Sequence, residues 1–144
     1  MEKYIADIIR LQGKCSYNAE NKTQFRAAAL KFLRALRALL GIDADVRYNV
    51  GGIAVSGDCT LHSNALYISF NADGISSTLG VMYRSCRGRS DYTGGANCWF
   101  SWSRLQECGV HGFAAVLAQC LSVPHDAQPN FEQANANRQF FVRS

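Results

Sequence analysis

In the segment Val46-Arg47-Tyr48-Asn49-Val50-Gly51-Gly52-Ile53 the chain changes its period. Before it, apolar residues recur every three or four positions. From Val46 onward they alternate with polar ones. Successive strand side chains face opposite ways, so Val46, Tyr48 and Val50 belong to one face and Arg47 and Asn49 to the other. Gly51-Gly52 is a two-residue link of the kind that joins antiparallel strands. Residues 53–55 follow as a short strand, and Gly57-Asp58 turns the chain again. Residues 59–62 form another strand, and Ser63-Asn64 another turn. Leu66, Ile68 and Phe70 then alternate with Tyr67, Ser69 and Asn71, before a loop at residues 71–74. A strand over residues 79–86 puts Val81 and Tyr83 on one face and Met82 and Arg84 on the other. Residues 97–102 are the last clear strand. Links this short predict an antiparallel meander of five or six strands.

On the N-terminal side of that meander the spacing predicts two helices. Over residues 2–12, Tyr4, Ile5, Ile8, Ile9 and Leu11 form one stripe, and Gly13 fits the left-handed stop position. Asn21 can cap the second helix, with Gln24 reaching back from three residues on. Phe25, Ala29, Phe32, Leu33, Leu36 and Leu40 make its buried face, and Gly41 closes it. Arg26, Lys31, Arg34 and Arg37 lie opposite, a pattern that fits a solvated face, with an anionic partner as the alternative. On the C-terminal side, Ser103 and Gln106 read as the start of a third helix, with Leu105, Phe113, Val116, Leu117, Cys120 and Leu121 inside and Pro124 as its stop. In the tail from His125 to Ser144, Phe131, Phe140, Phe141 and Val142 predict docking. Helices gathered on one face of an antiparallel sheet define an α+β fold, here a single domain over residues 1–144.

Bulk composition narrows the class further. An apolar content of 48% over 144 residues suffices for one core, and 18% charged residues is no signature of disorder. The start of the chain does not read as a signal peptide, and no apolar run has the roughly 18 residues a membrane span needs. A cytoplasmic protein without membrane contact is the expectation. On that basis Cys15, Cys59, Cys86, Cys98, Cys108 and Cys120 are expected as buried free thiols rather than disulfides. The net charge of +4 is too small to imply nucleic acid by itself. Its distribution is more telling. All the lysines fall in the first 31 residues, whereas Arg47, Arg84, Arg87, Arg89 and Arg104 are the only basic residues between positions 46 and 106. Arginine's planar fork matches phosphate or carboxylate, where lysine offers a solvated point charge.

Residues 83–99 concentrate the chemistry. A connection of roughly ten residues joins two strands here, longer than a hairpin needs. Arg84, Arg87 and Arg89 would neutralise phosphate, while Gly88, Gly94 and Gly95 let the backbone come close. Tyr92 or Trp99 would stack on a base, Asn97 would read polar edges, and Asp91 would hold an arginine or accept from a ribose hydroxyl. The same residue types also suit a solvated loop or a protein-binding surface. No Gly-Lys-Ser/Thr follows, so this is not a P-loop. Cys59, His62, Cys108 and His111 have the gaps of a zinc site, but Cys59 and His62 would point to opposite faces of a regular strand, so no metal is expected. No nucleophile motif flanks His62, His111 or His125, and no carboxylate pair stands out. Catalysis is therefore not expected, although an arginine-assisted phosphodiesterase assembled in three dimensions is an alternative. No cofactor is expected.

Two amphipathic helices before a compact sheet, with arginine, aromatic and asparagine groups from Arg84 to Trp99, resemble the layout of small phage counter-defence proteins. The closest in kind are the anti-Thoeris nucleotide sponges, which sequester cyclic ADP-ribose-type signals without cleaving them. That resemblance implies a homo-oligomer with ligand pockets at subunit edges, acting in a host cytosol. Three readings stand side by side. The first is a non-enzymatic binder of a phosphate-bearing small molecule such as a cyclic nucleotide. The second is an interaction protein that blocks a host nucleic-acid-handling complex, as anti-CRISPR proteins do. The third is a nucleic-acid-binding protein using the basic face of the second helix.

Overall fold

The computed structural model describes residues 2–50, 57–73, 76–89 and 95–121. Helices α1 (Lys3–Arg10) and α2 (Ala19–Leu40) precede five strands, β1 (Asp45–Asn49), β2 (Asp58–His62), β3 (Leu66–Phe70), β4 (Val81–Ser85) and β5 (Cys98–Phe100). Helix α3 (Trp102–Leu121) follows. The strands pair antiparallel in the order β1-β2-β3-β4-β5, an unbroken meander, and the fold is α+β as the alternation predicts. The expected turn at Gly51-Gly52, the strand at residues 53–55 and the docked tail lie outside the described residues.

Two helix starts differ from expectation, each for a local reason. Asn18, not Asn21, caps α2: its side chain accepts a hydrogen bond from the Asn21 backbone N–H at 2.9 Å. The Asn21 amide is turned away and donates to the Lys14 carbonyl at 2.8 Å. Gly41 ends the helix in the left-handed conformation, φ 63°. Likewise Ser101, not Ser103, opens α3, its hydroxyl accepting from the Arg104 N–H at 3.2 Å. A kink interrupts α3 at Gly109 (φ 68°, ψ −172°), a conformation essentially reserved for glycine. There the Glu2 carboxylate accepts from the Val110 N–H at 3.2 Å, capping the second half of the helix from the other end of the chain.

The alternation sorts the sheet into two faces. Cys59, Leu61, Leu66, Ile68, Phe70, Val81, Tyr83, Cys98 and Phe100 are buried on the face that carries the helices. Ile5, Ile8 and Leu11 of the first helical segment meet Phe25, Ala28, Ala29, Phe32, Leu33 and Leu36 of α2 in the same core. Its centre is aromatic. Phe113 of α3 stacks on Phe32 of α2, with ring centroids 6.1 Å apart and planes 7° from parallel. It also stacks on Phe100 of β5 at 4.5 Å and meets Tyr83 of β4 edge-on at 5.9 Å. Phe32 in turn meets Phe70 of β3 edge-on at 5.8 Å. One ring thus ties both long helices to the last two strands.

Truncating that ring removes contacts to three other elements at once. Phe113→Ala should lower unfolding free energy by about 3–5 kcal/mol in urea denaturation, and Phe113→Leu by clearly less. Gly109→Ala, which imposes a side chain on a glycine-only conformation, should cost about 1–3 kcal/mol. A loss below 0.5 kcal/mol on the order of surface substitutions would show that the kink is not a constraint.

Candidate functional site

The opposite face of the sheet carries the polar half of the alternation, and among the described residues no helix packs on it. Strand register turns that half into two rows. Asp45 stands opposite His62, His62 opposite Tyr67, and Tyr67 opposite Arg84. In the next row Arg47 faces Thr60, Thr60 faces Ser69, Ser69 faces Met82, and Met82 faces Trp99. Directly opposed side chains are in contact range, so each row is a continuous ladder across the sheet.

In the first row the contacts are specific. The His62 ring meets Tyr67 edge-on at 5.0 Å, and its Nε2–H donates to the Gly88 carbonyl at 3.0 Å. The Arg84 guanidinium lies over the Tyr67 ring, 5.7 Å from its centre. Arg89 folds back over the β1 end. Its guanidinium donates to the Asp43 carbonyl and pairs with the Asp43 carboxylate at 3.0 Å and the Asp45 carboxylate at 3.6 Å. Asp45 also lies 3.9 Å from Arg47.

Two hollows open on this face. The first, about 160 Å³, is lined by Asp45, Arg47, Asn49, Thr60, His62, Tyr67 and Arg89. The second, about 150 Å³, is bordered by Ser69, Asn71, Met82, Asn97 and Trp99. Thr60 of the first and Ser69 of the second are register partners, so the two hollows have neighbouring walls on β2 and β3.

The residues expected to form one site are therefore distributed along the face. Arg89 lines the first hollow, Asn97 and Trp99 the second, and Arg84 stands on the first row beside Tyr67. Arg87 is exposed on the connection after β4. Asp91 and Tyr92 lie outside the described residues. The arginine held by carboxylates is Arg89, and Asp43 and Asp45 hold it. Sequence reasoning missed Arg47, Thr60, His62 and Tyr67. Their signal was the polar half of the strand alternation, which becomes a site only once the register is known.

Three N–H groups on this face share a property. Arg84 Nε, Arg89 Nε and Trp99 Nε1 are buried and have no hydrogen-bond partner among the described residues. A buried donor without an acceptor costs about 1–3 kcal/mol, a penalty that a ligand acceptor removes.

The other expected chemistries fare differently. Among the described residues no group of three or more His, Cys, Asp or Glu side chains gathers to hold a metal. Cys59 lies in the core while His62 lies on the far face, and Cys108 and His111 are exposed on α3. On the basic side of α2, Arg26 lies over the Tyr48 ring at 5.2 Å and Arg37 donates to the Ala44 carbonyl at 3.2 Å. Two of the cations on the basic side of α2 are thus engaged within the chain. No helix among the described residues is long and apolar enough to cross a membrane. No protein-family model, curated protein or solved structure matches the chain.

Cys15, Cys59, Cys86 and Cys98 are buried free thiols, and Cys108 is exposed. Burial, then the nearby Asp58 carboxylate, pushes the Cys59 thiol up to about 12. Burial and Asp73 push Cys15 up to about 11. An unfolded chain loses these protons from about pH 8.5, so above that pH it binds fewer protons than the native state. Stability should therefore fall as pH rises toward 11, and Cys59→Ala should flatten that slope in urea titrations at a series of pH values. At neutral pH a maleimide should label Cys108 in the folded protein and leave Cys59 unmodified until denaturant is added.

Proposed function

We propose that this protein binds a phosphate-bearing small molecule on the polar face of its sheet without transforming it. The observation that carries the reading is the set of three buried, acceptor-less donors on one face, Arg84 Nε, Arg89 Nε and Trp99 Nε1. Arg84 and Trp99 stand on adjoining strands, so one anionic, acceptor-rich ligand at that end of the face supplies acceptors that both lack. Tyr67 and Trp99 add flat surfaces, and Thr60, Ser69, Asn71 and Asn97 add groups able to read polar edges.

The reading as a binder rests on the chemistry present on this face. His62 is held between Tyr67 and the Gly88 carbonyl, with no serine or cysteine nucleophile opposite it in the register. Asp45 is engaged with arginines. The face supplies donors, rings and restraint, which is what recognition needs. Sequestration of a cyclic nucleotide signal in phage counter-defence is the biological setting we attach to it.

Isothermal calorimetry against a panel of cyclic and linear nucleotides tests this directly, with binding at micromolar Kd or tighter expected for at least one member. Arg84→Ala should weaken that affinity about 10- to 150-fold, the equivalent of one charge-assisted hydrogen bond of about 1.5–3 kcal/mol. The ligand released by heating should return chemically intact. Turnover of the ligand, or silence across the whole panel, would rule the proposal out.

A further inference from the structure

The helical layer carries a groove that the sheet-face reading leaves unused. It runs between α1 and α2 and has a volume of about 420 Å³, against about 160 and 150 Å³ for the hollows on the sheet. Tyr4 and Asp7 of α1 form one wall, and Ala27 and Ala28 of α2 the other. Residues three and four apart share a helix face, so each helix turns one stripe toward the groove. The Tyr4 ring is backed by Phe32 of the core, 6.3 Å between centroids. The short alanine side chains leave room above them for an incoming side chain.

The ends of the groove differ. At one end the Arg10 guanidinium reaches across from α1 and donates to the Gln24 side-chain carbonyl at 3.1 Å. It also lies 3.5 Å from Asp7, whose carboxylate is the only one among the lining residues. This end is neutralised from within. Two helical turns away, about 10 Å at a rise of roughly 1.5 Å per residue, Lys3 of α1 and Lys31 of α2 stand at the other end. Both are exposed, and among the described residues neither makes a hydrogen bond or an ion pair. The Tyr4 hydroxyl makes no hydrogen bond among them either. That end offers donors and positive charge without an acceptor.

Arg10 opposite Gln24 and Lys3 beside Lys31 mean that the two helices run antiparallel. A groove of this kind seats a third helix, which lays its apolar face inside and its polar residues along the rim. Carboxylates on that rim would complete Lys3 and Lys31. A nucleic-acid backbone needs a line of cations. Here the free ones gather at one end, while Arg26 and Arg37 of α2 are engaged within the chain. We infer that the α1–α2 groove docks an acidic amphipathic helix of a protein partner. An apolar side chain of that helix sits on Tyr4, Ala27 and Ala28, and its carboxylates pair with Lys3 and Lys31.

Fluorescence anisotropy with the full chain tests this. The probe is a fluorescein-labelled synthetic helix with leucines on one face and glutamates beside them at i and i+4, and its counterpart has glutamines in their place. The acidic helix should bind at least about tenfold more tightly than the glutamine counterpart. Lys3→Glu and Lys31→Glu set like charges together, so each should weaken the acidic helix by about tenfold or more. Ala27→Trp fills the groove from an exposed position and should weaken it at least as much, with the fold confirmed by circular dichroism. Carbodiimide coupling in the complex, read by peptide mass mapping, should join Lys3 or Lys31 to a glutamate of the probe. No binding of the acidic helix, equal binding of the glutamine counterpart, or displacement by single-stranded oligothymidine overturns the inference. So does coupling of either lysine, in the protein alone, to a carboxylate of a second copy or of residues 122–144, because the groove then has another occupant.

Discussion

The stacking of Phe113 between Phe32 and Phe100 is the contact on which the remainder of the molecule depends. A sheet of five short strands has one face that must be covered, and a helix pair cannot cover it alone. Phe113 reaches from α3 to α2 on one side and to β4 and β5 on the other, closing the three-helix layer over the sheet. Aromatic pairs in offset and edge-on arrangements contribute roughly 0.5–1.5 kcal/mol each beyond the area they bury. They also fix distance and angle, which aliphatic packing does less strictly. The strand register that builds the polar rows on the far face is held from behind by this cluster.

The elements with one strongly buried face were legible from residue order. Leu66, Ile68 and Phe70 alternate over the full length of β3, and a slip of one residue would put all three on the polar face. The heptad-like spacing of Phe25, Ala29, Phe32, Leu33 and Leu36 marked α2 for the same reason. Helix starts were less legible. Asn18 and Asn21 are equally good caps as residue types, and so are Ser101 and Ser103. The choice is made by the path of the chain into the helix, including a left-handed Tyr17 (φ 56°) just before Asn18, and that path is not encoded in local composition.

The site was legible in part, for a related reason. Residues 83–99 did contain the donors, because arginine and tryptophan stand out in any composition. Their partners did not stand out. Asp43 and Asp45 hold Arg89 from far back in the chain, and His62 and Tyr67 become its neighbours only through the β1-β2-β3 pairing. A polar residue at an alternating strand position reads as solvent-facing until the register places it beside others of its kind. The candidate site is therefore a property of strand alignment more than of any single loop.

The bond from Val110 to Glu2 spans 108 positions and has a consequence for how the chain is made. The sheet is a meander whose neighbours are neighbours in order, so each strand can add to the previous one as synthesis proceeds. The helical layer is assembled otherwise. Loop closure over such a separation is slow relative to local pairing. On the ribosome, α1 and α2 can pack on each other and on β1 and β2, but the apolar surface that faces α3 stays open until that helix has emerged. The Glu2 carboxylate, which caps the second half of α3, is thus among the last groups to find its place.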